Sequence, residues 1–171
     1  MAEVISIQQD ASTGAAGFGE IAGNKHRGNT FTALHDNVTA VMLQLDSTGS
    51  KDLRIDIHAT SGDLPTGSSL GGYTVPNASL STSYTKYTFS SPVTGLSIGT
   101  KYAFVLSPYS AGVYSDDYRD MRISNANPYA DGTHFKHEGS FATESGLDCK
   151  FRIYANESAT GTNAILFGSG F

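Results

Sequence analysis

The chain has 171 residues, enough for one domain with a sizeable hydrophobic core. Its 16 acidic and 11 basic residues give a net charge of −5, which argues against nucleic acid or an anionic membrane as a partner. Gly, Ser and Thr make up 57 of the 171 residues and charged residues only 16%, a composition typical of a turn-rich β protein and not of a helical or disordered chain.

Apolar and polar residues alternate along most of the chain, which is the two-residue period of a β-strand with one buried face. In residues 53–60, Leu, Ile, Ile and Ala alternate with Arg, Asp, His and Thr. We expect short strands at residues 4–7, 29–33, 38–45, 53–60, 69–75, 84–89, 101–106, 119–124, 133–136 and 149–154. This pattern, with frequent turn signals, predicts an all-β protein, an antiparallel β-sandwich of jelly-roll type.

The pattern divides the chain into three parts. Residues 1–28 are predicted to be an N-terminal strand and arm, in which residues 10–28 form a long loop rich in Gly and Ala. Residues 29–155 form the sandwich, and its strands are expected to end at the turn residues 61–67. Residues 156–171 form a C-terminal extension or last strand, which starts polar and carries the apolar residues Ile165, Leu166 and Phe167.

The single cysteine, Cys149, excludes an intramolecular disulfide and is expected to be a buried small hydrophobe. Residues 1–10 lack the basic and apolar regions of a signal peptide, and no apolar run is long enough to span a bilayer. These features favour a protein that is made and assembled in the cytosol over a secreted one.

Sequence motifs for catalysis are missing: we find no nucleophile elbow, phosphate-binding loop, dinucleotide fingerprint or HExxH. We therefore expect a protein that is not an enzyme and that uses no cofactor. His134 and His137 are three residues apart, but on a strand they point to opposite faces, so we predict no metal site there. Asp116, Asp117 and Asp120 lack the spacing of a calcium loop; a solvated acidic loop is the first interpretation and a structural calcium ion the alternative.

Residues 107–131 place four tyrosines among Asp and Asn residues. Tyrosine has a flat apolar face and a polar edge, which suit a sugar ring or a protein interface. The candidate ligand-binding residues are Tyr109, Tyr114, Asp116, Asp117, Tyr118 and Tyr129. The alternative is that these rings cover the open end of the sandwich, and the absence of Trp from the chain weakens the sugar interpretation.

Several runs of strand and turn residues resemble a known module. They lie at residues 29–33, 37–45, 53–70, 87–93, 96–107 and 127–132. Over residues 28–155 the chain resembles the jelly-roll β-sandwich module of bacteriophage structural proteins and of bacterial surface-protein repeats. The resemblance implies a non-catalytic binding or assembly module, with no catalytic residues to transfer.

This resemblance leads to two hypotheses. The first is a structural protein located in the virion, a capsid decoration (cement) or tail accessory protein that contacts the major capsid or tail protein and forms a homo-oligomer. The N-terminal arm and residues 165–167 would provide its assembly contacts. The alternative is a carbohydrate-binding module for host or cell-surface attachment, which uses the tyrosines and aspartates named above. A small glycosidase on the same fold would need two facing acids in a cleft.

Overall fold

The computed structural model of the protein describes residues 2–19, 26–110, 113–114, 117–126 and 128–157. Within those ranges it contains fourteen β-strands, one 3-10 turn at Asn77–Ser79 and no α-helix. The strands are β1 (Glu3–Gln9), β2 (Gly14–Phe18), β3 (His26–Thr32), β4 (Asn37–Leu43), β5 (Asp52–Ser61), β6 (Leu64–Val75), β7 (Thr85–Thr94), β8 (Lys101–Ser110), β9 (Val113–Tyr114), β10 (Arg119–Ser124), β11 (His134–His137), β12 (Phe141–Thr143), β13 (Asp148–Cys149) and β14 (Phe151–Asn156). In this part of the chain, no helix has the length and apolar character needed to cross a bilayer.

The strands pair antiparallel in three sheets. A four-stranded sheet has the order β1-β14-β4-β7, and a larger sheet has the order β12-β11-β3-β8-β5-β6, with β9 paired to β8. The third sheet, β13-β10-β2, connects to the four-stranded sheet through a bridge between Leu45 and Met121. Many neighbours in a sheet, such as β1 and β14, are far apart in the sequence.

The hydrophobic core lies between the four-stranded sheet and the larger sheet. Phe104 of β8 and Phe151 of β14 meet in it, with ring centroids 5.1 Å apart, and so join the two sheets. Alternate residues of the central strands are buried there, among them Val41, Leu43, Leu53, Ile55, Ile57, Leu106 and Ile153. Burial of each such side chain stabilises the fold by about 1.5–3 kcal/mol. The predicted all-β, antiparallel β-sandwich is confirmed.

Most of the predicted strands are present, and the strand expected at residues 119–124 coincides with β10. The expectation of a loop throughout residues 10–28 is wrong, because Gly14–Phe18 forms β2 and β3 begins at His26. The small residues of β2 show no apolar–polar alternation. The strand therefore depends on its pairing with β10 and not on a local pattern. Gly17 lies so close to the Tyr118 ring that a Cβ atom would come within 2.7 Å of it.

The turn expected across residues 61–67 is shorter than predicted. Ser61 and Leu64 are already paired, so only Gly62 and Asp63 form the turn. Pro65 therefore lies inside β6. Proline is tolerated in this position because β6 is an edge strand, where one side of the backbone makes no ladder hydrogen bonds.

The strand predicted at residues 149–154 is divided at Lys150. β13 pairs with β10, whereas β14 pairs with β1 and β4, so the chain passes from one sheet to another at this residue. Cys149 is fully buried, as expected, and its Sγ lies 3.8 Å from Met121 Sδ. Burial raises the pKa of the Cys149 thiol well above its usual range, which keeps the thiol protonated.

Candidate functional site

Asp117, one of the predicted ligand-binding residues, is bound to the protein itself. Its Oδ2 accepts hydrogen bonds from the backbone N–H groups of Ser50 (2.8 Å) and Lys51 (3.0 Å). Burial alone would raise the pKa of Asp117, but these hydrogen bonds and the charge of Arg119 lower it. Asp117 is therefore an ionised carboxylate that fixes residues 50–51.

Arg119 is the buried partner of the Asp117 carboxylate. Its guanidinium is fully buried, and Nη2 donates to Asp117 Oδ2 (2.9 Å), to the Asp52 carbonyl (3.2 Å) and to the Lys51 carbonyl. Burial lowers the pKa of Arg119, while the carboxylate of Asp117 opposes that shift. The pair is a buried structural element that holds the chain before β5 against β10.

The predicted tyrosines occupy different environments. Tyr109 is half-buried and lies opposite Tyr114 in the pairing of β8 with β9. Tyr118 is 48% exposed, and its hydroxyl donates to Asp120 Oδ1 at 2.7 Å. Tyr129 packs edge-on against the core residue Phe151, with centroids 5.6 Å apart. Its hydroxyl oxygen accepts the Thr32 N–H at 3.3 Å, a role within the fold.

Some predicted residues lie outside the described part of the chain. These are Asp116, the side chain of Tyr114, and Ile165, Leu166 and Phe167. Among the described residues, no group of three or more His, Cys, Asp or Glu side chains is placed to hold a metal ion.

A cavity that the sequence did not predict lies on the outer face of the larger sheet. Its volume is about 410 Å³, within the range of small-molecule sites. Val105 and Ser107 of β8 lie at its floor, since Leu106 between them faces the core. The other lining residues are His26, His58, Gly67, Ser68, Ser69 and Phe141.

The position of the polar floor residues follows from the strand register. Pairing of Arg27 with Leu106 places His26 beside Ser107, and Arg54 lies opposite Ser107 on the other side. His26 Nδ1 forms a short hydrogen bond with Ser107 Oγ. On the same face of the sheet, Asp56 is the next residue of β5 after Arg54, and His58 follows Asp56.

One wall of the cavity is a wide bulge in β6. Ile57 pairs with Gly71 and Ala59 with Thr66, so four residues of β6, 67–70, stand opposite His58 alone. Gly67 has a φ of +65°, a conformation that favours glycine, and so allows the chain to leave the sheet there. Ser69 Oγ donates to the buried Asp56 at 2.7 Å, which fastens the bulge to the sheet.

Phe141 of β12 forms the opposite wall. Its ring lies 6.1 Å from the His26 ring and 4.9 Å from the His137 ring, centroid to centroid. Phe141 also packs against Phe135, which belongs to a second small apolar cluster with Ala103 and Val105. The cavity therefore has apolar surface from Val105 and Phe141, with hydroxyl and imidazole groups at its floor and rim.

His134 and His137, which the sequence predicts to lie on opposite faces of a strand, are the first and last residues of β11. His134 is fully buried, on the face of β11 opposite to Phe135. Its Nδ1 lies 3.1 Å from Glu144 Oε2, and Arg27 binds the same carboxylate. Burial lowers the pKa of His134, and the contacts of Glu144 with His134 and Arg27 lower the pKa of that carboxyl to about 2.

A third feature is an exposed apolar tip, which we define as Leu34 and Ile98. Their exposed fractions, 54% and 62%, are the highest among the large hydrophobic side chains of the described residues. They lie on two loops joined by backbone hydrogen bonds from Ala33 to Thr100 (2.9 Å) and from Gly99 to Ala33 (2.8 Å). The two side chains are thus presented at one end of the sandwich.

Sequence reasoning missed the cavity for two reasons. The first is that the sequence places His26 in the Gly- and Ala-rich arm of residues 10–28. The second concerns His58. The alternation of residues 53–60 places it on the polar face of its strand, but nothing in the sequence indicates that the β6 bulge lies beside it. The Gly67-Ser68-Ser69 run is the available signal, but in the sequence it indicates only the end of a turn. Comparisons of the chain with protein-family models, with curated proteins and with solved structures find no match.

Proposed function

We propose that this protein is a non-catalytic structural protein of a bacteriophage particle, a capsid decoration or tail accessory protein with a jelly-roll-like sandwich. It acts by burying surface against the major capsid or tail protein and against further copies of itself. The observation that carries the proposal is the apolar tip formed by Leu34 and Ile98.

The tip has the properties of a protein contact and not of a loose loop. Exposed aliphatic side chains gain the hydrophobic contribution only when a partner covers them. The Leu96 N–H donates to the Asp36 carbonyl at 3.0 Å, and the Ser97 N–H donates to the Tyr102 hydroxyl at 2.9 Å. Because these bonds hold the loops before binding, little conformational entropy is lost when a partner docks.

The described chain ends beside this tip. Asn37, the first residue of β4, comes directly after the loop that carries Leu34 and is hydrogen-bonded to Asn156. The Glu157 N–H donates to the Ala2 carbonyl at 2.9 Å, so both described chain ends lie at this end of the sandwich. Residues 165–167, proposed as assembly contacts, follow Glu157 in the sequence and lie outside the described residues.

The test is incorporation into the source particle, measured by mass spectrometry and electron microscopy of purified particles. We expect the full chain to be present at a fixed copy number. Double substitution of Leu34→Ser and Ile98→Ser, or deletion of residues 160–171, is expected to leave a folded domain that no longer joins the particle.

Leu70→Ser is the matched control. Leu70 is 50% exposed but lies on the β6 bulge and is not part of the tip, and its substitution is expected to leave incorporation unchanged. Full incorporation of both the double variant and the truncated chain would overturn the proposed assembly role. So would the absence of the unmodified chain from purified particles.

A carbohydrate-binding module is the second candidate, favoured by the half-exposed ring of Tyr118 and its hydroxyl contact with Asp120. An exposed tyrosine of this kind stacks on a sugar ring while neighbouring carboxylates bind hydroxyls. A glycan array, probed with and without calcium, tests it: binding that is lost in Tyr118→Ala supports the module, and no binding to any glycan removes it.

A further inference from the structure

We propose that the cavity on the outer face of the larger sheet binds an acidic monosaccharide or a ligand of the same size and chemistry, a ring that carries a carboxylate. This goes beyond the assembly role, which uses the other surface defined by Leu34 and Ile98. It also uses a different site from the exposed tyrosine of the carbohydrate alternative.

The size of the cavity restricts the ligand. A volume of about 410 Å³ is far larger than a bare inorganic anion needs and is suitable for one ring-shaped molecule. The Phe141 ring on one wall and Val105 on the floor offer apolar surface for the face of such a ring.

The hydrogen-bonding groups of the lining favour an anionic ligand. The eight described residues around the cavity include two histidines and no carboxylate. The nearest buried carboxylate, Asp56, is already bound by Arg54 Nη2 (2.8 Å) and by Ser69 Oγ (2.7 Å). The polar groups that face the cavity include the N–H groups of the histidines and the O–H groups of the serines, and such donors suit a carboxylate.

Two side chains carry the specific recognition. His58 is half-buried at the rim, and its ring has no hydrogen-bond partner among the residues that the structure describes. Ser68, at the unpaired part of the β6 bulge, adds an exposed hydroxyl on the same side. We assign the carboxylate to His58 and Ser68, and the ring hydroxyls to Ser107 and His26 across the floor.

The experiment is a titration of the full chain, followed by the imidazole and backbone amide resonances in two-dimensional NMR spectra. The probes are glucuronate, which has both ring and carboxylate, glucose, which has the ring alone, and acetate, which has the carboxylate alone. We expect glucuronate to shift the His58 and His26 resonances and to bind at least about tenfold more tightly than either of the other probes, because it alone makes both sets of contacts.

Variants then locate the binding. His58→Gln and Ser68→Ala, both at the rim and outside the core, are each expected to weaken glucuronate binding by about tenfold or more. His35→Gln is the matched control, since His35 lies on the loop of the apolar tip and does not line the cavity, and it is expected to change nothing. The amide spectrum of each variant shows whether the fold is retained.

Three results would overturn the proposal. Equal binding of glucose and glucuronate would remove the role of the carboxylate, and no resonance shift with any probe would remove the site. Loss of glucuronate binding in Tyr118→Ala with full binding in His58→Gln would place the ligand on the tyrosine surface. Because none of these measurements involves particle assembly, failure here leaves the assembly role standing, and failure of assembly leaves this site standing.

Discussion

The side chain of Asn37 forms two hydrogen bonds with the backbone of Asn156, 119 residues further along the chain. Its Nδ2 donates to the Asn156 carbonyl at 3.1 Å, and its Oδ1 accepts the Asn156 N–H at 2.8 Å. The side-chain amide of Asn37 thus takes the place of one pair of backbone hydrogen bonds at the point where β14 ends beside β4. The contact fixes the place at which the chain leaves the sandwich.

Substitution of Asn37 by Asp is expected to destabilise the protein by about 1–3 kcal/mol, because the Asn156 carbonyl loses its donor and a partly buried polar group is left unpaired. Urea denaturation followed by circular dichroism measures the change. Asn156→Ala is the control, since both bonds use the backbone of that residue, and its effect is expected to stay within about 0.5 kcal/mol. Equal effects of the two substitutions would contradict this role of the Asn37 amide.

The buried cluster of His134, Glu144 and Arg27 predicts a dependence of stability on pH. Burial lowers the pKa of His134 in the folded state, so below about pH 6.5 the unfolded chain binds more protons and the free energy of unfolding falls. The pKa of Glu144, about 2, lies below its usual value, so its contribution is present above about pH 4.5 and is lost as the pH falls toward 2.

Measurements of the urea midpoint between pH 7.5 and 5.5 separate the contribution of His134 from that of Glu144, which is lost only at lower pH. We expect stability to decrease with falling pH by up to about 1.4 kcal/mol per pH unit below pH 6.5, and His134→Gln to reduce this slope. His35→Gln, at a half-buried position on a loop, is expected to retain the slope. An unchanged slope in His134→Gln would show that other groups cause the pH dependence.

The pair formed by Asp117 and Arg119 is predicted to be structural. Asp117→Ala leaves the buried guanidinium without its carboxylate, which is expected to destabilise the protein by about 3–5 kcal/mol. Replacement of both residues, as Asp117→Asn with Arg119→Met, is expected to recover much of that loss because no unpaired charge remains. Thermal unfolding of the two variants gives the comparison. A mild effect of Asp117→Ala would leave that carboxylate open for a ligand.

Gly28 is predicted to be irreplaceable for steric reasons. A Cβ atom at this position would lie 1.9 Å from the Phe104 carbonyl oxygen and 2.7 Å from Phe135 Cζ, so Gly28→Ala must displace β3 from β8. We expect a loss of stability of about 1–3 kcal/mol or more. Gly14→Ala, where a Cβ meets nothing within 4 Å, serves as the control in the same denaturation experiment. Comparable stability of the two variants would contradict this prediction.

The predicted and observed features of the candidate sites differ for a physical reason. Leu53, Ile55 and Ile57 are buried as their alternation predicts, because a two-residue period on one strand is a local property. The contact of His26 with Ser107 depends on the register of β3 against β8, which joins residues 81 positions apart. Alternation determines which face a residue takes but not which strand becomes its neighbour.

The sequence by itself determined the all-β class, most strand positions and the burial of Cys149, since these depend on composition and local periodicity. Only the tertiary structure decided that β2 forms from small residues, that the chain changes sheets at Lys150, and that His134 is buried against Glu144. It also decided where the cavity and the apolar tip lie. Each of these depends on non-local strand pairing, whose energy comes from contacts between segments that no local pattern connects.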